Sequence, residues 1–196
     1  MTDPTSDQGF RAERQRGFTL LELLVTVSVA AILIAIAVPS LTPFIQNSRE
    51  DSEADSLISS IEYARSEAVK RDANVEVCAS VDGATCSAST TWGTGWIVAT
   101  TGTAPSVLEV MPRLGGGNTL SATFNGAGAS QITFQPNGFV QAAAGSGIYA
   151  TTYFDLCDRR GATSARDIEI TAVGAVQSSS TPGQTLDSPP KALSCP

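Results

Sequence analysis

Glu22 is the fifth residue of an apolar run that is otherwise unbroken from Phe18 to Val38, and it follows a basic segment ending in Arg16-Gly17. The run is 21 residues long; as a helix it would measure about 31 Å, enough to cross a hydrocarbon core. A carboxylate there is costly, roughly 2.5–3.5 kcal/mol at mid-membrane and less near the helix end. A charge kept in such a place calls for a function and a named partner. The plain alternative is a signal anchor. A cleaved secretory signal fits less well, because its apolar core would be shorter and a small-residue cleavage site would follow. Pro39 and Pro43 come next and are expected to bend or interrupt the helix.

The residues Arg16-Gly17-Phe18-Thr19-Leu20-Leu21-Glu22-Leu23 resemble the prepilin motif of type IV pilins and type II secretion pseudopilins. The resemblance implies cleavage by a prepilin peptidase between Gly17 and Phe18, then N-methylation of Phe18. It also equates Glu22 with the family's acid at mature position five, and Pro39 with its helix-bending proline. Residues 1–17 are then a leader peptide, 18–45 a transmembrane and assembly helix, and 46–196 a periplasmic domain. Physical chemistry supports the assembly role. The Phe18 amine would be a buried cation in a packed filament, and Glu22 of a neighbouring subunit could neutralise it. Removing one partner of such a pair costs about 3–5 kcal/mol. The simpler role for Glu22 is to reach the interface near its own helix end. Ala30, Ala31, Ala35 and Ala37 would permit close helix contacts.

Composition narrows the exported part. The chain has 196 residues and a net charge of −7, to which the leader adds nothing, because Arg11, Arg14 and Arg16 offset Asp3, Asp7 and Glu13. The soluble part suffices for one modest domain. Its acidity argues against a broad nucleic-acid-binding surface. The absence of His removes the commonest general base and metal ligand. Four cysteines, Cys78, Cys86, Cys157 and Cys195, read as two disulfides in an exported domain. Of three possible pairings, Cys78–Cys86 with Cys157–Cys195 is preferred. The first closes a short local loop and the second ties down a polar tail. A zinc site is disfavoured, since the spacings lack paired C-x-x-C knuckles.

Ala54, Leu57, Ile58, Ile61, Ala64 and Ala68 recur at helical spacing. One long helix is therefore predicted from about Phe18 to about Arg71, with its second half (46–72) packed on the domain. Glu67 and Arg71 form an i,i+4 pair. The acids from Glu50 to Asp55 read as a solvated face. From Asn74 the pattern turns β-prone. Strands are expected at Val75–Ala79, Trp96–Thr100, Val107–Met111, Gln131–Phe134, Tyr149–Leu156 and Asp167–Thr171. In the last of these, Ile168 and Ile170 would face inward, with Asp167, Glu169 and Thr171 wet. Pro136-Asn137-Gly138 reads as a turn before Phe139-Val140. Gly115–Asn118 and Ala142–Gly147 read as loops, the first lacking a phosphate loop's ending. The β-rich region ends near residue 177 and an irregular tail (178–196) follows.

This order is α+β: a type IV pilin-like fold with a long N-terminal helix on an antiparallel sheet domain. Trp96 near Gly93 and Gly95, Phe134-Gln-Pro-Asn-Gly138, Phe154–Gly161 and Ala165–Ile170 resemble the GspH/FimT branch of minor pilins and pseudopilins. That resemblance implies a minor pilin acting in pilus assembly at the inner membrane, with other minor pilins and the major pilin as partners. Alternatives are a type II secretion pseudopilin and a DNA-binding minor pilin. For DNA, the family's Gly-Arg-x-Arg element would fall on Gly174-Ala175-Val176-Gln177, which lacks both arginines. Arg159, Arg160 and Arg166 could contact phosphates, or could pair with Asp155, Asp158 and Asp167. Asp155 and Asp158 could in principle help bind a cation but read as solvated. No catalytic constellation, metal site or cofactor is expected.

Overall fold

A computed structural model of the chain describes residues 17–124, 126–141, 151–179, 181–186, 193 and 195. Most of the leader, the 142–147 loop, the first residues of the Tyr149–Leu156 strand and much of the C-terminal tail lie outside them. The chain divides into two compact units, Met1–Thr42 and Pro43–Pro196.

Helix α1 (Leu20–Arg71) is 52 residues long and runs through both prolines without interruption. Each proline removes one N–H to the carbonyl four residues back. Pro43 follows Pro39 by about one helical turn, and the helix continues to Arg71. The helix ends where Asp72 adopts φ 51 and the Ala73 N–H reaches the Ala68 carbonyl at 3.2 Å. That is the left-handed C-terminal closure that satisfies otherwise orphaned carbonyls.

Two five-stranded antiparallel sheets follow. The first has the order β3 (Val107–Met111), β2 (Trp96–Thr100), β1 (Val75–Ala79), β6 (Gln131–Phe134), β7 (Val140–Gln141). The second has the order β10 (Val176–Ser178), β9 (Arg166–Ile170), β8 (Thr152–Cys157), β4 (Thr119–Phe124), β5 (Ala127–Gly128). Sequence patterning anticipated β1, β2, β3 and β6 at their observed bounds. It missed β4, whose Thr, Ser and Ala between Leu120 and Phe124 make a weak apolar alternation. It also missed the short edge strands β5 and β10.

One core joins the three elements. Leu57, Ile61, Ala64 and Ala68 of α1 meet Val75, Val77, Trp96, Ile132 and Phe134 of the first sheet and Leu120, Phe154, Leu156, Ile168 and Ile170 of the second. Trp92, in a 3₁₀ turn at Trp92–Thr94, is fully buried edge-on to Phe154, with ring centroids 4.9 Å apart. Its indole N–H donates to the Ala129 carbonyl at 2.8 Å, which removes the cost of burying that donor.

Candidate assembly and contact sites

In the first unit, every described side chain from Phe18 to Val38 is exposed within its own chain. An 18-residue window there has a mean hydropathy of 2.7. The Thr19 hydroxyl accepts the Glu22 amide at 3.2 Å, and the Thr19 carbonyl accepts the Leu23 amide at 3.1 Å. This is the Thr-x-x-Glu arrangement that starts a helix. The Glu22 carboxylate itself has no hydrogen-bond or ion-pair partner among the described residues. A long apolar surface and one carboxylate are thus left uncovered by the described residues.

The second unit treats its acids differently: Asp51 and Asp55 are exposed as expected of a solvated face, but for Glu50, and in part for Glu53, that reading is corrected. Glu50 is 1 % exposed. Its Oε2 accepts Arg160 Nη2 at 2.9 Å, while its Oε1 is buried without a partner. Arg160 also donates Nε to Asp158 Oδ2 at 2.5 Å and Nη1 to Asn47 Oδ1 at 2.6 Å. Burial pushes the Glu50 carboxyl up to about 7, aided by Asp158 and Asp51 and opposed by Arg160 and Arg166. Asp51 accepts Arg166 Nη2 at 2.7 Å. Glu53 accepts the Gly115 amide at 2.9 Å and the Asn118 side-chain amide at 2.6 Å. One signal for this was present: Glu50 lies four residues before Ala54, in phase with the buried stripe.

Asp167 is also not on a wet face, being 1 % exposed. The chain after β10 folds over it: the Ser179 amide bonds its carbonyl and the Leu186 amide bonds its Oδ2, both at 2.8 Å. Asp155 lies opposite Asp167 in the β8–β9 register. Burial, with Asp167 adding repulsion, raises Asp155 to about 6. Neither Asp155 nor Asp158 is simply solvated.

Cys78 is bonded to Cys86 and Cys157 to Cys195, with Cα separations of 5.5 and 6.0 Å. Leu193 and Cys195 pack on Cys157 and Ala165. Glu76 lies beside Cys78 and Cys86, but sulfurs in a disulfide supply no thiolate for a metal.

The three arginines considered for phosphate contact do not act alike. Arg160 pairs with Asp158, as the sequence suggested, and also with Glu50 of α1; Arg166 pairs with Asp51 of α1; Arg159 is exposed and unpaired among the described residues. Gly174, at φ 77, sits where a Cβ would meet the Gly138 carbonyl at 2.5 Å. Arg65 donates to the Gly138 and Val173 carbonyls at 3.2 and 3.0 Å. An open groove of about 750 Å³ borders this point, lined in part by Val69, Ala175 and Val176.

Residues 53–174 match the family model described as Type II transport protein GspH. Residues 13–38 match the prokaryotic N-terminal methylation motif. Among solved structures, the type IV minor pilin FimU of Pseudomonas aeruginosa in one crystal form is 21% identical, covering 71% of this chain and 98% of its own with a TM-score of 0.54. In another crystal form it is 22% identical, covering 66% and 91% with a TM-score of 0.49. The minor pseudopilin EpsH from the Type 2 Secretion System of Vibrio cholerae is 11% identical, covering 67% and 96% with a TM-score of 0.47. The 0.54 likeness is one of fold. No curated protein matches the chain.

Proposed function

The chain belongs to the GspH family of minor pilins and pseudopilins, and from that premise we propose that it is a minor subunit of a type IV pilus, acting in pilus assembly and initiation. The observation that carries a filament role is the uncovered half of α1: an apolar surface with one unpartnered carboxylate, on a chain whose other half folds around its own core. Apolar area of this extent is stable only in lipid or against other helices.

The proposed sequence of events follows. The chain inserts in the inner membrane with residues 46–196 in the periplasm. Prepilin peptidase cuts between Gly17 and Phe18, and the Phe18 amine is methylated. On extraction into the fibre, Glu22 meets the terminal amine of a neighbour. The major pilin and other minor pilins are the partners. The family consists of structural subunits, and no catalytic step is assigned to this chain.

A second reading, the minor pseudopilin of a type II secretion system, is favoured by the description of the matching family model. Deleting the gene separates the two. Loss of surface fibres with protein secretion intact supports the pilus; the reverse result assigns the chain to secretion. A DNA-capturing role has least behind it, because Arg160 and Arg166 are engaged within the domain and Gly174–Gln177 carries no arginine.

A further inference from the structure

We propose that the depression around the Gly115–Asn118 turn is a docking surface for an Asp/Glu-rich segment of a neighbouring filament subunit. This rests on the filament-subunit reading, which supplies the neighbour.

The domain is acidic, yet its cations are not evenly employed. Lys70 and Arg71 hold Glu67, Arg160 and Arg166 hold acids of α1, and Arg65 is bound to two carbonyls. The remaining described cations of this unit are Arg49, Arg113 and Arg159. All three are exposed, and none has a hydrogen-bond or ion-pair partner among the described residues. They come from three separate parts of the chain and converge on one place. Arg49 and Arg159 line a small cleft with Gln46, Gly116, Asn118 and Asp158, whose carboxylate is held by Arg160. Arg113 lines an adjoining hollow of about 380 Å³ that shares Asn118 and includes Gly117.

The turn between them is built to receive negative charge. Gly116 and Gly117 have φ 65 and 79, and their amides donate to no described group. A Cβ on Gly116 would overlap Arg49 Nη1, and one on Gly117 would stand 3.0 Å from Arg159 Nε. Glycine therefore lets both guanidinium groups lie against the main chain beside open amides. Successive amides in such turns favour anions, and the Gly115 amide already holds the Glu53 carboxylate. Bonds from guanidinium and amide groups to carboxylates are the stronger, charge-assisted kind.

The size of the patch decides what class of anion it suits. A duplex carries one charge per roughly 1.7 Å of its axis and needs a long run of cations. Here a local basic depression lies in a chain of net charge −7, which would repel the remainder of a polyanion. A short acidic protein segment needs only the local charge, and Leu114, Thr91 and Thr94 in the hollow offer contacts for its other side chains.

The test uses the mature full-length chain in nonionic detergent and measures fluorescence anisotropy of a labelled alternating Glu-Asp peptide, with short duplex DNA as the second probe. Peptide binding should weaken with added salt. The Arg49→Glu/Arg113→Glu/Arg159→Glu variant should bind about tenfold less tightly, as expected for lost charge complementarity. The triple lysine variant should retain most of the affinity. Both disulfides and the unfolding midpoint serve as the folding control, and the triple glutamine variant replaces the reversal if that fails to fold. Peptide binding that is absent, or equal in all variants, overturns the proposal. Duplex DNA bound more tightly than the peptide, and lost in the same variants, also overturns it by giving the surface to nucleic acid. Leader removal and Glu22-dependent fibre incorporation are scored separately, so the subunit reading can fail while the acidic docking stands, and the reverse.

Discussion

Glu22 and Glu50 stand on the same helix, and their surroundings are opposite. Glu50 is covered by its own domain, with Arg160 at 2.9 Å and Arg166 nearby. Glu22 is exposed among apolar side chains, with no partner that its own chain supplies among the described residues. A carboxylate removed from water needs a cation or a proton. The half of α1 inside the domain meets that need by folding. In the apolar half no described residue meets it, and the filament proposal therefore places a neighbour's amine there.

The comparison is broken most decisively by Glu22→Ala. Loss of an intermolecular pair worth about 3–5 kcal/mol should reduce incorporation into fibres by at least about a hundredfold. The unfolding midpoint of the domain should not change. Immunoblots of sheared fibres and calorimetry check the two halves; normal incorporation would remove the contrast between the two glutamates.

Within the domain, Leu57→Ala should cost about 2–5 kcal/mol, because Leu57 is fully buried where α1 meets both sheets. Denaturant unfolding measures this, and fibre incorporation should fall only in proportion to folded protein. Replacing Cys157 and Cys195 together should cost about 4 kcal/mol on the chain-entropy model for a separation of 38 residues. The Cys78–Cys86 pair, with a separation of 8, should cost about 2.5 kcal/mol. Comparing the two double variants with the oxidised protein checks the order.

Glu50 sharpens the comparison through pH. Its carboxyl is raised to about 7 and that of Asp155 to about 6. A raised carboxyl binds its proton more tightly in the folded state. Its contribution is therefore complete below the ordinary value of about 4 and is lost as pH rises through about 6 to 7. Glu67 and Asp82 act with the opposite sign. Arg71 and Lys70 hold Glu67 low, and the Ala84 and Thr85 amides hold Asp82 low; their contribution is lost as pH falls. Between pH 5 and pH 8 the raised carboxyls decide the slope: Glu50, Asp155 and Glu76, which burial also raises. The Glu50 and Asp155 carboxyls together lie about 3 pKa units above pH 5, so stability should fall by up to about 4 kcal/mol, at about 1.4 kcal/mol per unit. Glu50→Gln should flatten that slope and leave stability at pH 8 unchanged or higher. A slope unaltered in this variant would show that Glu50 does not control it. Glu67→Gln, which weakens the pairs with the exposed Lys70 and Arg71, should have the smallest effect of these variants, read as a small shift of the denaturant midpoint.

The legibility of this molecule follows how local each signal is. The stripe from Ala54 to Ala68 and the alternations in β1, β2 and β6 are dictated by neighbours in sequence, so the pattern reveals them. Glu50 and Asp167 are buried by Arg160, Arg166 and the segment after β10, more than a hundred residues or a whole strand away. No periodicity reports such a cover. Pro39 and Pro43 do not interrupt α1, in keeping with the single long helix that the pattern on either side of them implied.

By itself, the amino-acid order determined that residues 18–38 are apolar and long enough to cross a membrane, that one acid would be stranded there, and that an α+β domain would follow. Those are consequences of apolar length, charge position and period, each readable along the chain. Only the folded arrangement decided which acids are solvated, which arginines remain unpaired, and that Arg49, Arg113 and Arg159 gather at one glycine turn. Those depend on contacts between distant segments, and the free energy of a charge is set by what surrounds it in space.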